Sequence, residues 1–173
     1  FIGAKLGLPY AESMTFLALR FCLALIILYS LCLIVKSPWP NSLNQYLHII
    51  IAGLLIHGAY LGGVYSGIQF GVEAGTSALI VALQPPLVTL FAHWVLKERT
   101  SYIQWLGIIL GFSGVALVVW NKLSLEMGTL EGIGLHVIAL IGISAGTLYQ
   151  KRFCSRMSLL SGSAIQLTAA AVL

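Results

Sequence analysis

The sequence predicts an all-α fold, a polytopic bundle of membrane-spanning helices. Apolar residues make up 59% of the chain, charged residues make up 8%, and the mean hydropathy is +0.98. A soluble domain has about 25% charged residues, and a chain of this length could not cover its surface with so few. The charges also bracket apolar stretches of about 20 residues, the length that a helix needs to cross a bilayer. Lipid is therefore the expected surrounding of most of this chain.

The spacing of the charges places five spans along the chain. We expect these spans over residues 14–35, 46–70, 75–96, 102–120 and 130–150. Residues 1–8 look like the end of an earlier span, and a further span begins near Ser158, so that about six to seven helices are represented. We therefore expect a fragment of a longer polytopic protein. The clearest turn is KSPWPNS at 36–42, where two prolines end one helix and precede the next.

Basic residues are concentrated in alternate loops. The loops on one side carry Lys36, Lys97, Arg99, Lys151, Arg152 and Arg156. The opposite loops carry Lys122 together with Glu12, Glu73, Glu126 and Glu131. Cytoplasmic loops of membrane proteins are enriched in Lys and Arg, so the first set of loops is predicted to be cytoplasmic. We expect a multi-pass protein of the cell membrane, the inner membrane if the source is bacterial.

A weak internal repeat runs through the chain. At one fixed offset Lys5 matches Lys151, and Ala18 matches Ala164. The offset covers five spans, and an odd number of spans makes the second copy enter the membrane upside down. Inverted repeats are a transporter architecture in which the substrate site lies near the midplane between the two halves.

Three stretches resemble EamA-type members of the drug/metabolite transporter superfamily. They are GAKLGLPYAESMTFLALRFCLA at 3–24, AGTSALIVALQPPLVTLFAHWVLKERTSYIQWLGIILGFSGVALVV at 74–119, and GTLEGIGLHVIALIGISAGTLYQKR at 128–152. The shared features are LALRF opening the second helix, proline within the fourth, a short KER turn, and a sixth helix that ends in basic residues. The doubled proline of QPP departs from the single proline that is ordinary in the family.

The resemblance implies ten helices in two inverted five-helix repeats. Residues 1–121 would be the first repeat, with its first helix truncated, and residues 122–173 would be the start of the second. It also implies export or exchange of small metabolites by alternating access, with amino acids, amines or related compounds as substrates.

When the truncated first helix is counted, the span over residues 75–96 is the fourth helix. It carries the first group of candidate pathway residues. Pro85 and Pro86 interrupt the helical hydrogen-bond ladder, which frees carbonyls that must be satisfied by neighbours or by a wet cavity. The kink either borders the pathway or serves packing alone. Gln84, directly before it, either touches substrate or ties two helices together. In the third helix, His57 with Tyr60 on the same face either lines the pathway or makes an interhelical hydrogen bond.

Arg20 and Lys5 are the charged candidates. Arg20 lies nearly two turns into its helix, where an unpaired charge is costly. Its expected role is a structural pair with Glu12 or Glu73, and an anionic-substrate role is the alternative. Lys5 has the same ambiguity.

Other polar residues and the glycines are expected to be structural. His93 beside Trp94, His136 and Gln150 lie toward span ends and are predicted to be interfacial. Small residues spaced by four let helix backbones approach closely. Such spacing occurs at Gly63, Gly67, Gly71 and Gly75, at Gly107 and Gly111, and at Gly142 and Gly146.

Two classes of function remain open at this point. The first is a secondary transporter with a small-molecule substrate, and the alternative is a non-transporting polytopic membrane subunit that acts through helix packing with partners. We expect no enzyme, because no HExxH, GxSxG, phosphate-loop or Cys/His metal motif is present. We expect no cofactor, no metal and no catalytic residue. The net charge of +4 is too sparse for nucleic acid, membrane lipid is a partner by necessity, and a homodimer stays open.

Overall fold

The computed structural model describes residues 12–95, 97, 99–124 and 129–172. These residues form α-helices and one wider π-helical turn. In chain order they are α1 (Ser13–Val35), α2 (Leu43–Gly53), the π turn (Leu54–Ala59), α3 (Tyr60–Gln69), α4 (Ala74–Val81), α5 (Gln84–Val95), α6 (Tyr102–Ser124), α7 (Leu130–Phe153) and α8 (Leu159–Ala171).

All five predicted spans are confirmed by length and composition. The apolar helical stretches are Met14–Val35, Leu43–Gln69, Ala74–Val95, Tyr102–Asn121 and Leu130–Phe153. A shorter apolar helix, Leu159–Ala171, begins where a further span was expected. Large apolar side chains on α1 and α6 are exposed, among them Leu33 at 78% and Ile103 at 83%. Because these surfaces are apolar and uncovered, their natural surroundings are hydrocarbon. The expected span end at 1–8 lies outside the described residues.

The turn predicted at 36–42 is confirmed. Lys36 ends α1 in the left-handed region with a φ of 52°. Ser42 begins α2, where its Oγ accepts a hydrogen bond from the Gln45 backbone amide at 3.4 Å. An N-cap of this kind satisfies one of the amide groups that the first turn of a helix leaves free.

The second span is interrupted in its middle, a feature that the sequence did not predict. Between α2 and α3 the chain widens into the π turn. Turns of this kind shift the register of the side chains that follow and are often found at functional sites. His57 lies within the turn and Tyr60 begins α3.

The prolines predict a break in the third span, and the structure has one. The turn that forms the break ends at Leu83, two residues before Pro85. α4 ends at Val81, residues Ala82 and Leu83 form a turn, and α5 begins at Gln84. Pro85 and Pro86 thus occupy the first turn of α5, where a missing N–H removes no helical hydrogen bond. The chain therefore accommodates two adjacent prolines by ending one helix and starting another.

Helix α7 is the centre of the bundle. It packs against α2, the π turn, α3, α4 and α5. Helix α1 packs along α8 instead. The Ser37 hydroxyl after α1 hydrogen-bonds the Ser158 hydroxyl before α8 at 2.6 Å, which makes these two helices antiparallel.

The structure segregates the two kinds of loop as the charges predict. One cavity wall contains both Arg99 and Lys151, so the basic turns meet at one end, which we call the basic end. At the opposite end Thr129 Oγ1 donates to the Phe70 carbonyl oxygen at 2.6 Å, close in sequence to the acidic Glu73 and Glu131. That the basic end is cytoplasmic stays a prediction.

The regular glycine spacing has mixed causes, which corrects the single packing role expected from it. A Cβ on Gly67 would overlap the His136 imidazole, and one on Gly63 would lie 2.8 Å from the Leu135 carbonyl oxygen. Gly75 and Gly107 have nothing within 4 Å.

Gly71, from the same series, serves a third purpose. It ends the α3 turn at a φ of +89°, a conformation that side chains rarely adopt. Its nearest neighbour for a Cβ is 4.0 Å away. Spacing by four in an apolar chain therefore does not by itself identify a packed face.

Candidate functional site

A cleft opens at the basic end beside α7. It consists of two cavities of about 370 Å³ and 240 Å³ that share Lys151, and we call it the basic-end cleft. The first cavity is lined by Thr147, Gln150, Lys151, Cys154, Ser155, Met157 and Leu159. The second is lined by Val88, Thr89, Ala92, Arg99, Thr100, Gln104 and Lys151. The cleft thus lies along α5 and α7 and combines polar and cationic walls.

The first sequence candidate lies next to this cleft. Gln84, at the start of α5, donates from Nε2 to Thr147 Oγ1 on α7 at 3.4 Å. Thr147 in turn donates to the Ile143 carbonyl oxygen one turn earlier at 2.7 Å. This contact uses one of the two N–H groups of the Gln84 amide, so the side chain can still offer a donor and an acceptor. The break before Pro85 thereby presents a glutamine to a hydroxyl of the cleft.

A hydrogen bond between two side-chain amides connects the cleft to the interior. Gln166 on α8 is 3% exposed, and its Nε2 donates to Gln150 Oε1 at 2.9 Å. α8 can lie this close to α2 because Gly53 has no side chain: a Cβ there would be 2.5 Å from the Gln166 Cα. Gln150 is therefore both a wall of the cleft and an interhelical partner, where an interfacial position alone was expected.

The remaining described candidates form a different group. Arg20 NH1 on α1 donates to the Tyr65 hydroxyl at 2.9 Å, and Tyr65 stacks on Phe16 with ring centroids 5.9 Å apart. Tyr60, at the start of α3, packs against the same apolar cluster as Tyr65. The hydrogen-bond partner shown for Arg20 is thus a tyrosine, where Glu12 or Glu73 was expected.

The sequence candidates therefore lie in two places. Gln84 contacts α7 from the side of α5, whereas the π turn that carries His57 packs on α7 at Gly142 and Gly146. Arg20, Tyr60 and Tyr65 form a second group, which we call the arginine group. Pro86 lies near Gly111 of α6, and Pro85 is exposed. Lys5 lies outside the described residues.

Two polar residues that now matter, Thr147 and Tyr65, were not singled out from the sequence. Thr147, Gln150 and Lys151 do recur at helical spacing on one face, a signal that the sequence contained.

His136 was expected at the interface but is fully buried. Its Nδ1 donates to the Gly132 carbonyl oxygen at 2.8 Å, and its Nε2 lies against the Ser77 hydroxyl. His93, by contrast, hydrogen-bonds Thr100 at 3.2 Å in the turn beside an exposed Trp94, as an interfacial residue would.

The Ser77–His136 contact resembles part of a hydrolytic triad, but its surroundings are those of a packing contact. A carbonyl oxygen can only accept, so Nδ1 carries the proton and Nε2 accepts from the Ser77 hydroxyl. Both side chains have 0% exposure. The serine hydroxyl is therefore inaccessible to a substrate.

Among the described residues, no three His, Cys, Asp or Glu side chains lie close enough together to hold a metal ion.

Comparison with known proteins identifies the family. The model of the EamA-like transporter family matches residues 1–120. The chain belongs to the EamA-like transporter family. It is therefore a multi-pass membrane protein.

Curated relatives cover almost the whole chain. It is 22% identical over 87% of its length to the uncharacterized transporter YoaV of Bacillus subtilis. It is 26% identical over 98% to the uncharacterized inner membrane transporter YedA of Escherichia coli, and 24% identical over 90% to a probable amino-acid metabolite efflux pump of Escherichia coli. The matches cover 51%, 54% and 50% of those proteins, so the chain spans about half their length. No solved structure matches the chain.

Proposed function

We propose that the whole protein is a secondary transporter that exports or exchanges small metabolites across the bacterial inner membrane by alternating access. The observation that carries this proposal is the hydrogen bond from Gln84 to Thr147. It joins the proline break to a side chain that lines the basic-end cleft. A substrate entering from the basic end would meet this pair after passing Lys151.

The packing of α1 along α8 supports the repeat architecture. The internal offset matches α1 with α8, and these helices run antiparallel, as equivalent helices of inverted repeats must. The arginine group, at the other side of α7, supplies a second polar region in the membrane. Charged residues inside the membrane are usually functional. A relative named as an efflux pump for amino-acid metabolites makes amino acids and amines the first substrates to test.

The alternative, a subunit that acts through packing alone, would require dry interfaces throughout. The α3–α7 contact at Gly67 and His136 has this character. The basic-end cleft does not, because it combines an amide, a hydroxyl and two cations in open cavities.

The test compares variants of the full-length protein for membrane abundance and for transport per molecule. Uptake and efflux of amino acids, amines and nucleobases identify a substrate first. Loss of a substrate-binding polar group costs about 1–3 kcal/mol, or roughly ten- to a hundredfold in affinity. We expect Gln84→Ala and His57→Ala to be present but impaired by this factor, and His93→Ala to be near normal. Loss of transport in His93→Ala alone, with Gln84→Ala silent, would assign the pathway to another face.

A further inference from the structure

A third cavity lies between two loops at the basic end and shares Cys154, Ser155 and Met157 with the first cavity of the basic-end cleft. Its volume is about 310 Å³. One wall is the loop after α1 and the other is the loop between α7 and α8. It is lined by Pro38, Trp39, Pro40, Asn41, Gln45, Ile49, Phe153, Cys154, Ser155, Arg156, Met157, Ser158 and Ser161.

Hydrogen bonds hold the two walls in place. The Ser37 and Ser158 hydroxyls are 2.6 Å apart, and Ser161 Oγ donates to the Pro38 carbonyl oxygen at 2.6 Å. Ser37 and Ser161 are both buried. These bonds tie the two loops together directly, so the backbone on both sides of the cavity is fixed by the packed fold.

The chemistry of the cavity is that of an amphiphilic anion site. Arg156 supplies a positive charge, and Asn41, Gln45 and Ser155 supply neutral donors. Trp39, Phe153, Ile49 and Met157 supply apolar surface. None of the described residues that line the cavity is acidic, so no described side chain in the wall repels an anion.

The position of the cavity favours a ligand from the membrane. Trp39 is 39% exposed and stacks on Tyr29 of α1, with ring centroids 6.0 Å apart. Trp and Tyr collect at the level of lipid headgroups, where their apolar rings are buried and their polar tips stay wet. Lys36 and Arg152, both exposed, lie beside the two walls in sequence and add positive charge at the same level.

We propose that this cavity binds the phosphate headgroup of an anionic phospholipid, with Arg156 contacting the phosphate and Trp39 lying against the glycerol and upper acyl region. Basic pockets between helices at the cytoplasmic side of membrane proteins bind anionic headgroups for the same physical reason. The site ties together α1, α2, α7 and α8, so an occupied cavity adds a connection between these helices. This proposal does not depend on the transport function.

The experiment measures lipid binding to the purified full-length protein by native mass spectrometry. Phosphatidylglycerol and phosphatidylcholine with identical acyl chains are compared on the wild type, Arg156→Gln and Lys97→Gln. Lys97 is exposed in another turn of the basic end, so its variant removes the same charge away from the cavity. We expect the wild type and Lys97→Gln to prefer phosphatidylglycerol, and Arg156→Gln to lose about fivefold of that preference. Equal preference in all three proteins would overturn the proposal.

Two further arms separate the lipid from other sources of phosphate. Soluble glycerol 3-phosphate should leave bound phosphatidylglycerol in place, because it lacks the acyl region that contacts the aromatic wall. Displacement at equal concentration would assign the cavity to a free phosphate ester instead. Brominated acyl chains quench the fluorescence of a tryptophan that they contact. Phosphatidylglycerol with such chains should quench the Trp39 signal, which is the part of the fluorescence that is lost in Trp39→Phe. This quenching should be weaker in Arg156→Gln. Quenching that is unchanged in Arg156→Gln would show that the lipid does not bind in this cavity.

Discussion

Helix α7 has two faces that meet their neighbours in opposite ways. On one face small residues let other helices touch its backbone: a Cβ on Gly142 would lie 2.9 Å from the Ala59 Cβ, and one on Gly146 would lie 2.7 Å from Ile56 Cγ1. We call this the closed face. On the other, Thr147 and Lys151 line the basic-end cleft, and we call it the open face. The small residues of the closed face therefore serve helix packing, whereas the polar residues of the open face line a cavity.

One polar group near the start of α7 is satisfied within the protein. His136 uses both ring nitrogens, on Gly132 and Ser77, and is fully buried. On the open face, Gln84 and Thr147 meet next to a cavity and keep hydrogen-bonding capacity. A polar residue inside a span is thus a candidate for substrate binding when a cavity adjoins it, and a packing residue when its partners are complete.

The largest effect should come from filling the space that His136 occupies. Gly67→Leu places a side chain where the imidazole and the Gly132 carbonyl oxygen lie, so α3 and α7 must separate. We expect loss of most of the membrane-inserted protein, measured by quantitative immunoblotting of membranes. Gly75→Leu is the matched control, because nothing lies within 4 Å of that position. Equal abundance of both variants would mean that α3 and α7 do not pack closely at Gly67.

A smaller but still large effect is expected in cysteine labelling along α7. In a protein without its native cysteines, Thr147→Cys should react with a polar thiol reagent at least about tenfold faster than Ser144→Cys, because only Thr147 lines a cavity and Ser144 has 0% exposure. Cys22 is exposed and must be replaced. Cys154 lines the same cavity as Thr147 and must be replaced as well. Similar rates at both positions would mean that the cavity gives Thr147 no more access to water than the buried Ser144 has.

The same labelling tests which end is cytoplasmic. An impermeant reagent added to intact cells should leave Lys97→Cys unlabelled and should label Glu126→Cys, which lies in the opposite loop. The motive is the concentration of Lys and Arg at the basic end. Labelling at 97 and none at 126 would reverse the orientation, and the cleft would then face outward.

The smallest effect is expected from one hydrogen bond near the start of α7. Ser77→Ala removes the donor to His136 and leaves a buried nitrogen without a partner, which costs about 1–3 kcal/mol of stability. The measurement is the unfolding free energy in detergent, with Ser113→Ala at an exposed position as the control. No change in Ser77→Ala would indicate that the histidine finds another donor.

The sequence by itself determined the spans, their order and the separation of charged loops. Lipid penalises charges and unpaired backbone groups so strongly that long apolar runs between charges have few alternatives to crossing the membrane as helices. Pro85 and Pro86 likewise determined a break, because neither ring nitrogen can donate to the helical ladder. For the same reason Gln84 was singled out as the polar residue beside that break; its hydrogen bond joins α5 to α7, and a substrate role stays a prediction.

Tertiary structure alone decided which polar groups meet. In a chain that is apolar on nearly every side, periodicity does not identify the face that a helix turns toward its neighbours, so His136 and Gly75 were misjudged. The π turn at Leu54–Ala59 also shifts the register of the side chains after Gly53, and no single residue of the sequence predicts this turn. The contacts of Arg20 with Tyr65 and of Gln84 with Thr147 join residues 45 and 63 positions apart. Such pairs depend on the crossing of whole helices, which packing volumes set and local sequence does not.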